Sequence, residues 1–153
     1  MKQSEIIFNE LTAMGFEPVK LGDAGYIFSY EKLAFLYMVD DDDENFLRIA
    51  VPHIFEVTDE NRGEVLEAIN ATAELLKYSK VFIMYETAAW AFYEHRLFSY
   101  DHLPELLEHI IQTLEVTTHL FLSKMNGEDI RPNPEKREKS FDDIIDEEFE
   151  KNL

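Results

Sequence analysis

The chain contains no cysteine. That removes disulfides, thiolate nucleophiles and zinc sites of the cysteine type, and it suits a reducing compartment. Glycine is sparse, and the five glycines are scattered. None forms a Gly-x-Gly-x-x-Gly or P-loop pattern, so a phosphate cradle built from backbone N–H groups has no support. Cations are few, with 14 Lys and Arg against 32 Asp and Glu, a formal net charge of −18. That balance excludes a free nucleic acid or an anionic membrane surface as the expected partner, because both require clustered Lys and Arg. No apolar run approaches the ~18 residues needed to span a bilayer. The opening residues Met1-Lys2-Gln3-Ser4-Glu5 lack the apolar stretch of an export signal. The expected location is therefore the cytoplasm.

What is present is a core former. Hydrophobic residues make up 46% of 153, with twelve Phe and seven Tyr, enough for one firm, strand-rich domain. Ile7, Leu11 and Met14 recur at helical spacing, with Ser4 as a candidate cap and Gly15 as a stop. Alternating runs over 26–30, 33–39 and 46–54 predict three strands in a meander, joined by the polar pair Glu31-Lys32 and the acidic run Asp40 to Glu44. A second helix is predicted over 61–78. Val65, Leu66, Ile69, Ala73 and Leu76 lie on one face, and Asn61 with Glu64 approximates a capping box. Strands over 81–85 and 90–97 follow. A third helix over 103–124 carries a long stripe from Leu103 to Phe121, with Asp101 as a candidate cap and Pro104 in its first turn. The order α-β-β-β-α-β-β-α predicts an α+β fold, mainly an antiparallel sheet with flanking helices.

The expected domain covers 1–125. Residues 126–153 read as a mobile charged tail that begins Asn126-Gly127 and contains Pro132 and Pro134. Near its end Phe141, Ile144, Ile145 and Phe149 recur at helical spacing among acids. Such a segment is either a docking motif or a helix folded back on the domain, with an inert end as the third outcome.

No constellation reads as a catalytic or cofactor site. The contiguous acids Asp40 to Glu44 lack the alternation and glycine of a calcium loop, and read as a solvated turn. His102, Glu105 and His109 share a helical face, but no matching motif completes a metal site. Glu94, His95 and Arg96 are adjacent without any nucleophile motif such as Gly-x-Ser-x-Gly. Trp90 and Phe92 share one face of their strand and Tyr93 takes the other. They read as core or, more sharply, as an aromatic contact patch.

Met14-Gly15-Phe16 at the end of the first helix, Phe46-Leu47-Arg48-Ile49-Ala50, Val65-Leu66-Glu67-Ala68-Ile69-Asn70, Lys80-Val81-Phe82-Ile83 and the closing amphipathic helix come in a fixed order. That order of elements and residue classes resembles the YbjN-like domain family, which shares its fold with type III secretion chaperones. It spans about 6–125. The resemblance implies an α/β sandwich that often pairs as a homodimer, and a chaperone-like mode in which an extended client segment is bound without ATP. It supplies no catalytic residues.

The reading that results is a non-enzymatic protein-binding module, chaperone-like or regulatory, with a homodimer as the expected assembly and no cofactor. Its acidic field would steer a basic protein partner. Candidate contact residues are Trp90, Phe92 and Tyr93 on the last strand and Phe141, Ile144, Ile145 and Phe149 on the tail. The alternatives are an acidic mimic of nucleic acid that blocks a DNA-binding protein, and a small enzyme of unknown class built around Glu94 and His95.

Overall fold

The computed structural model describes residues 1–132 and 140–152. Ten elements follow in order: α1 Gln3–Ala13, β1 Val19–Leu21, β2 Gly25–Tyr30, β3 Leu33–Met38, β4 Phe46–Glu56, α2 Arg62–Ala73, β5 Ser79–Met84, β6 Ala88–Arg96, α3 Leu103–Met125 and α4 Phe141–Lys151. The strands form one antiparallel sheet in the order β1-β2-β3-β4-β6-β5. The α+β class and the antiparallel meander stand as the alternation indicated. β1 and α4 are additions to the order. β1 has three residues, all exposed, and its Val-Lys-Leu alternation is too short to mark a strand.

Helix ends depart from expectation in ways the hydrogen bonds explain. The N-cap of α1 is Lys2, with no side-chain cap, and Ser4 already lies inside the helix. Asn61 precedes α2 without capping it. Its Oδ1 instead accepts from the Thr58 N–H, and its Nδ2 donates to the Glu56 carbonyl. α2 stops at Ala73, short of the expected 78, because the chain must turn through left-handed Tyr78 (φ 62°) to enter β5. Its buried face is Val65, Ala68 and Thr72, and Leu66 is exposed. The residue before α3 is His102, itself left-handed, in place of Asp101.

The main core lies between the sheet and α1–α3. Ile7 and Leu11 of α1, Val65 of α2 and Leu107, Ile110, Leu114 and Phe121 of α3 pack on Phe28, Phe35, Tyr37, Leu47, Ile49 and Tyr93. All three helices thus contribute to one face of the sheet. The β2–β3 hairpin turns through Glu31 and Lys32, both at positive φ (49° and 67°), the conformation whose twist matches paired strands. Gly25 carries the one close approach that demands glycine: a Cβ there would sit 1.8 Å from the Tyr37 carbonyl oxygen. β4 is irregular between Val51 and Phe55, with His53 at φ 51° in the bulge. No helix among the described residues is long and apolar enough to cross a membrane.

Candidate functional site

Successive residues of a strand point to opposite faces, and here the two faces have different partners. On β6, Ala89, Ala91 and Tyr93 join the helix-side core, while Trp90 and Phe92 join a second cluster on the other side. That cluster buries Ala50, Ala88, Trp90 and Phe92, with Leu36, Met38, Phe82 and Met84 packed around them. Every one of these residues comes from β3, β4, β5 or β6, and none from a helix. The uncovered face of the sheet is therefore apolar across four strands.

Its centre is aromatic. The Phe82 and Phe92 rings stack 4.1 Å apart, and Trp90 stacks on Phe92 at 5.9 Å. The bulge residue His53 and the β5–β6 turn residue Tyr85 lean on Trp90, at 5.3 Å and 6.2 Å. The indole N–H of Trp90 is buried and has no acceptor among the described residues, an arrangement that costs about 1–3 kcal/mol.

Charge is built into the same face. The Arg48 guanidinium donates to Glu94 Oε2 at 2.8 Å, and Lys80 pairs with the other carboxylate oxygen. Burial alone would raise the Glu94 carboxyl, but hydrogen bonds and charge from Lys80 and Arg48 outweigh it and hold the group below the usual carboxylate range. Arg48 also lies 5.0 Å from the Phe92 ring centre and Lys80 5.5 Å from that of Phe82. Farther along β6, Arg96 lies over Phe98 at 5.7 Å. Arg48, Lys80 and Arg96 share this face with Glu94 and with Glu56, which lies opposite Ala88, three cations to two acids in a chain where acids outnumber cations by 32 to 14.

The sequence-predicted contact residues fall in three places. Trp90 and Phe92 lie on the uncovered face, sunk beneath its rim at 7% and 0% exposure. Tyr93 points the other way, is buried, and its hydroxyl meets His109 Nδ1 at 3.2 Å. Burial, followed by neighbouring Tyr78, pushes that hydroxyl's pKa up. Phe141, Ile144, Ile145 and Phe149 form a stripe along α4, and all four are exposed. Ser140 starts this helix, its Oγ accepting from the Asp143 N–H.

Sequence reasoning missed the rim itself: Leu36, Met38, Phe82 and Met84, and the Arg48–Glu94–Lys80 triad. The available signal was the charged residues Arg48, Lys80 and Glu94 set within largely apolar strands. It becomes legible only with the register that places Arg48 opposite Glu94.

The remaining constellations are held apart or satisfied locally. Glu94 is on the uncovered face, whereas its neighbour His95 lies opposite core residue Leu47, so the two side chains project from opposite sides of the sheet. Asp40 Oδ1 accepts from the Asp42 and Asp43 N–H groups, which makes the acidic run a self-bonded turn. Among the described residues no group of three or more His, Asp or Glu side chains is placed to hold a metal ion. A shallow groove of about 310 Å³ runs between the end of α2 and α3, bordered by exposed Tyr78 and Val116.

No family model matches the chain, and no curated protein matches it. Among solved structures it is similar to YbjN from E. coli, described as a candidate transcription regulator. The TM-score is 0.61 at 8% identity, over 80% of this chain and 92% of that one. An uncharacterized protein from Methanothermobacter thermautotrophicus aligns with a TM-score of 0.49 at 14% identity, over 79% of this chain and 97% of that one. The architecture expected from the order of elements is the one observed: in fold, this chain is YbjN-like.

Proposed function

We propose that the domain is a non-enzymatic protein-binding module, regulatory or chaperone-like, and that its contact surface is the uncovered face of the sheet. One observation carries this reading: four strands present a continuous aromatic and aliphatic surface that no helix among the described residues covers. Apolar surface of that extent, edged by charge, is the composition of a docking site. Phe82, Met84, Leu36 and Met38 are partly accessible and would meet the partner. Trp90 and Phe92 form the floor beneath them. The separation of Glu94 from His95 removes the pair on which an enzymatic reading depended. The YbjN-like fold is compatible with a regulatory role, and fold alone assigns no activity.

The partner would contribute an apolar segment, extended or helical. The chain's net charge of −18 would steer a protein that is basic outside that segment, raising its association rate at low salt. A homodimer, the other arrangement the resemblance implies, would use the α2–α3 groove and leave the sheet face free.

The test is capture from native lysate with the full chain and two charge insertions, Met84→Glu on the sheet face and Leu66→Glu on the helix layer. A partner held by the parent chain and by Leu66→Glu, but lost with Met84→Glu, supports the assignment. Equal recovery with Met84→Glu overturns it.

A further inference from the structure

We propose that the uncovered face of the sheet is a docking surface for the chain's own acidic helix α4, which exchanges between its exposed position and a closed one over that face. The inference rests on the reading of that face as a contact surface, and adds what occupies it.

Three observations converge. The first is an unmatched apolar stripe. α4 carries Phe141, Ile144, Ile145 and Phe149 on one side, all exposed and none packed on either core cluster. At 1.5 Å per residue the stripe is ~12 Å long. The uncovered face from β3 to β5 crosses three strand spacings, ~14 Å. A two-turn helix laid across the strands therefore fits the width of the cluster.

The second is charge. Asp142, Asp143, Asp146, Glu147, Glu148 and Glu150 stand against the single cation Lys151 in this helix. The rest of the molecule is strongly acidic and would repel it. On the sheet face cations outnumber acids, with Arg48, Lys80 and Arg96 against Glu94 and, at its far end, Glu56 opposite Ala88. The match extends to position. By the helical repeat of 100° per residue, Glu148 falls inside the apolar stripe between Ile144 and Phe141. Glu148 pairs with exposed Lys151 at 3.4 Å on the helix itself, and a surface that receives the stripe can add a cation amid apolar groups. Arg48 over Phe92 and Lys80 over Phe82 do so.

The third is reach. Sixteen residue steps separate Met125, the end of α3, from Phe141. Fully extended they would span at most ~55 Å, several times the ~10 Å of one packed layer. α3 ends beside β4, with Phe121 against Phe55, so the chain leaves the helix layer next to a strand whose other side is the docking face. Tethering of this kind supplies an effective concentration on the order of millimolar. Weak complementarity is then enough to populate the closed form.

The absence of cysteine makes the test direct. A single cysteine, Glu150→Cys, points away from the stripe and takes a nitroxide on the full-length chain. Amide signals of 82–84 and 90–92 are expected to lose at least half their intensity relative to those on the outer sides of α2 and α3. Ile145→Asp in the same chain is exposed in the structure and leaves the core intact; it should restore those signals at least twofold, as should Glu148→Lys. Equal attenuation on both sides of the molecule, or none, overturns the proposal. So does attenuation that appears only when the nitroxide and the isotope label are on different molecules, because the helix then comes from a second copy. The two readings fail separately. Loss of partner capture in Met84→Glu without nitroxide attenuation removes the helix from the face and keeps the face. Attenuation with capture indifferent to Met84→Glu keeps the helix and removes the partner.

Discussion

Replacing Tyr37 by Phe removes one hydroxyl from the relay that ties α1 to the sheet. Tyr37 is 1% exposed, and its hydroxyl donates to Gln3 Oε1 at 2.7 Å. Gln3 in turn donates from Nε2 to the Glu44 carbonyl at 2.7 Å. The substitution keeps the ring and its packing, so little apolar burial is lost. It leaves the nearly buried Gln3 oxygen without its donor, which costs about 1–3 kcal/mol. With a urea slope of ~1–3 kcal/mol/M, the midpoint should fall by ~0.5–1.5 M at pH 7. Adding Gln3→Met removes the stranded oxygen, so the double variant should lose less than the sum of the two single ones. The alkaline limb supplies an independent check. Burial, followed by neighbouring Tyr26 and Tyr100, raises the Tyr37 hydroxyl well above its ordinary value. The unfolded chain releases this proton near pH ~10 while the folded chain keeps it. The associated stability is therefore complete below pH ~10 and is lost as pH rises toward the folded value, by up to ~1.4 kcal/mol per pH unit. Tyr37→Phe lacks that loss, so its deficit should narrow above pH 10. An unchanged midpoint at pH 7, or a constant deficit from pH 8 to 11, would refute the relay.

Two further outcomes follow from geometry. Glu94 is held below the usual carboxylate range, so its ion pairs contribute above the unfolded value of ~4.3 and fade as pH falls through the lower folded one. The stability gap between the parent and Glu94→Gln should be widest near neutrality and shrink below pH ~4; denaturation at pH 7 and 3.5 checks it, and an equal gap at both would sink the assignment. Gly25→Ala would push a Cβ to 1.8 Å from the Tyr37 carbonyl at a φ of 152°, at a cost of ~3 kcal/mol visible in a thermal melt; a variant that melts with the parent would mean the hairpin relaxes freely.

Much of this architecture is legible in single residues, because periodicity is local. The stripe from Leu103 to Phe121 and the alternation of Phe35 and Tyr37 report buried faces without knowledge of what buries them. The stripe of α4 is visible for the same reason. What stays hidden depends on elements meeting across the chain. β6 is apolar on both sides, so neighbours Phe92 and Tyr93 cannot show which side the helices cover. Glu94 finds Arg48 from 46 residues away, and only the β4–β6 register makes them partners. Leu75 and Leu76 continue the α2 pattern, yet the helix stops at Ala73, since the path into β5 overrides local preference. β1 has no buried side chain to betray it.

Among the described residues, seven other than glycine hold a positive φ, including Glu31 and Lys32 in one hairpin and Tyr85 and Glu86 in the other. Neither turn carries the Asn-Gly or Asp-Gly pair that adopts this shape unaided, and each such residue costs ~1–2 kcal/mol of backbone strain. The turns are thus imposed by the strands they join. In kinetic terms they are expected on the late side of the folding barrier: cross-strand pairs such as Phe28 with Phe35 and Phe82 with Trp90 would set the register first, so substitutions in the turns should change the unfolding rate more than the folding rate.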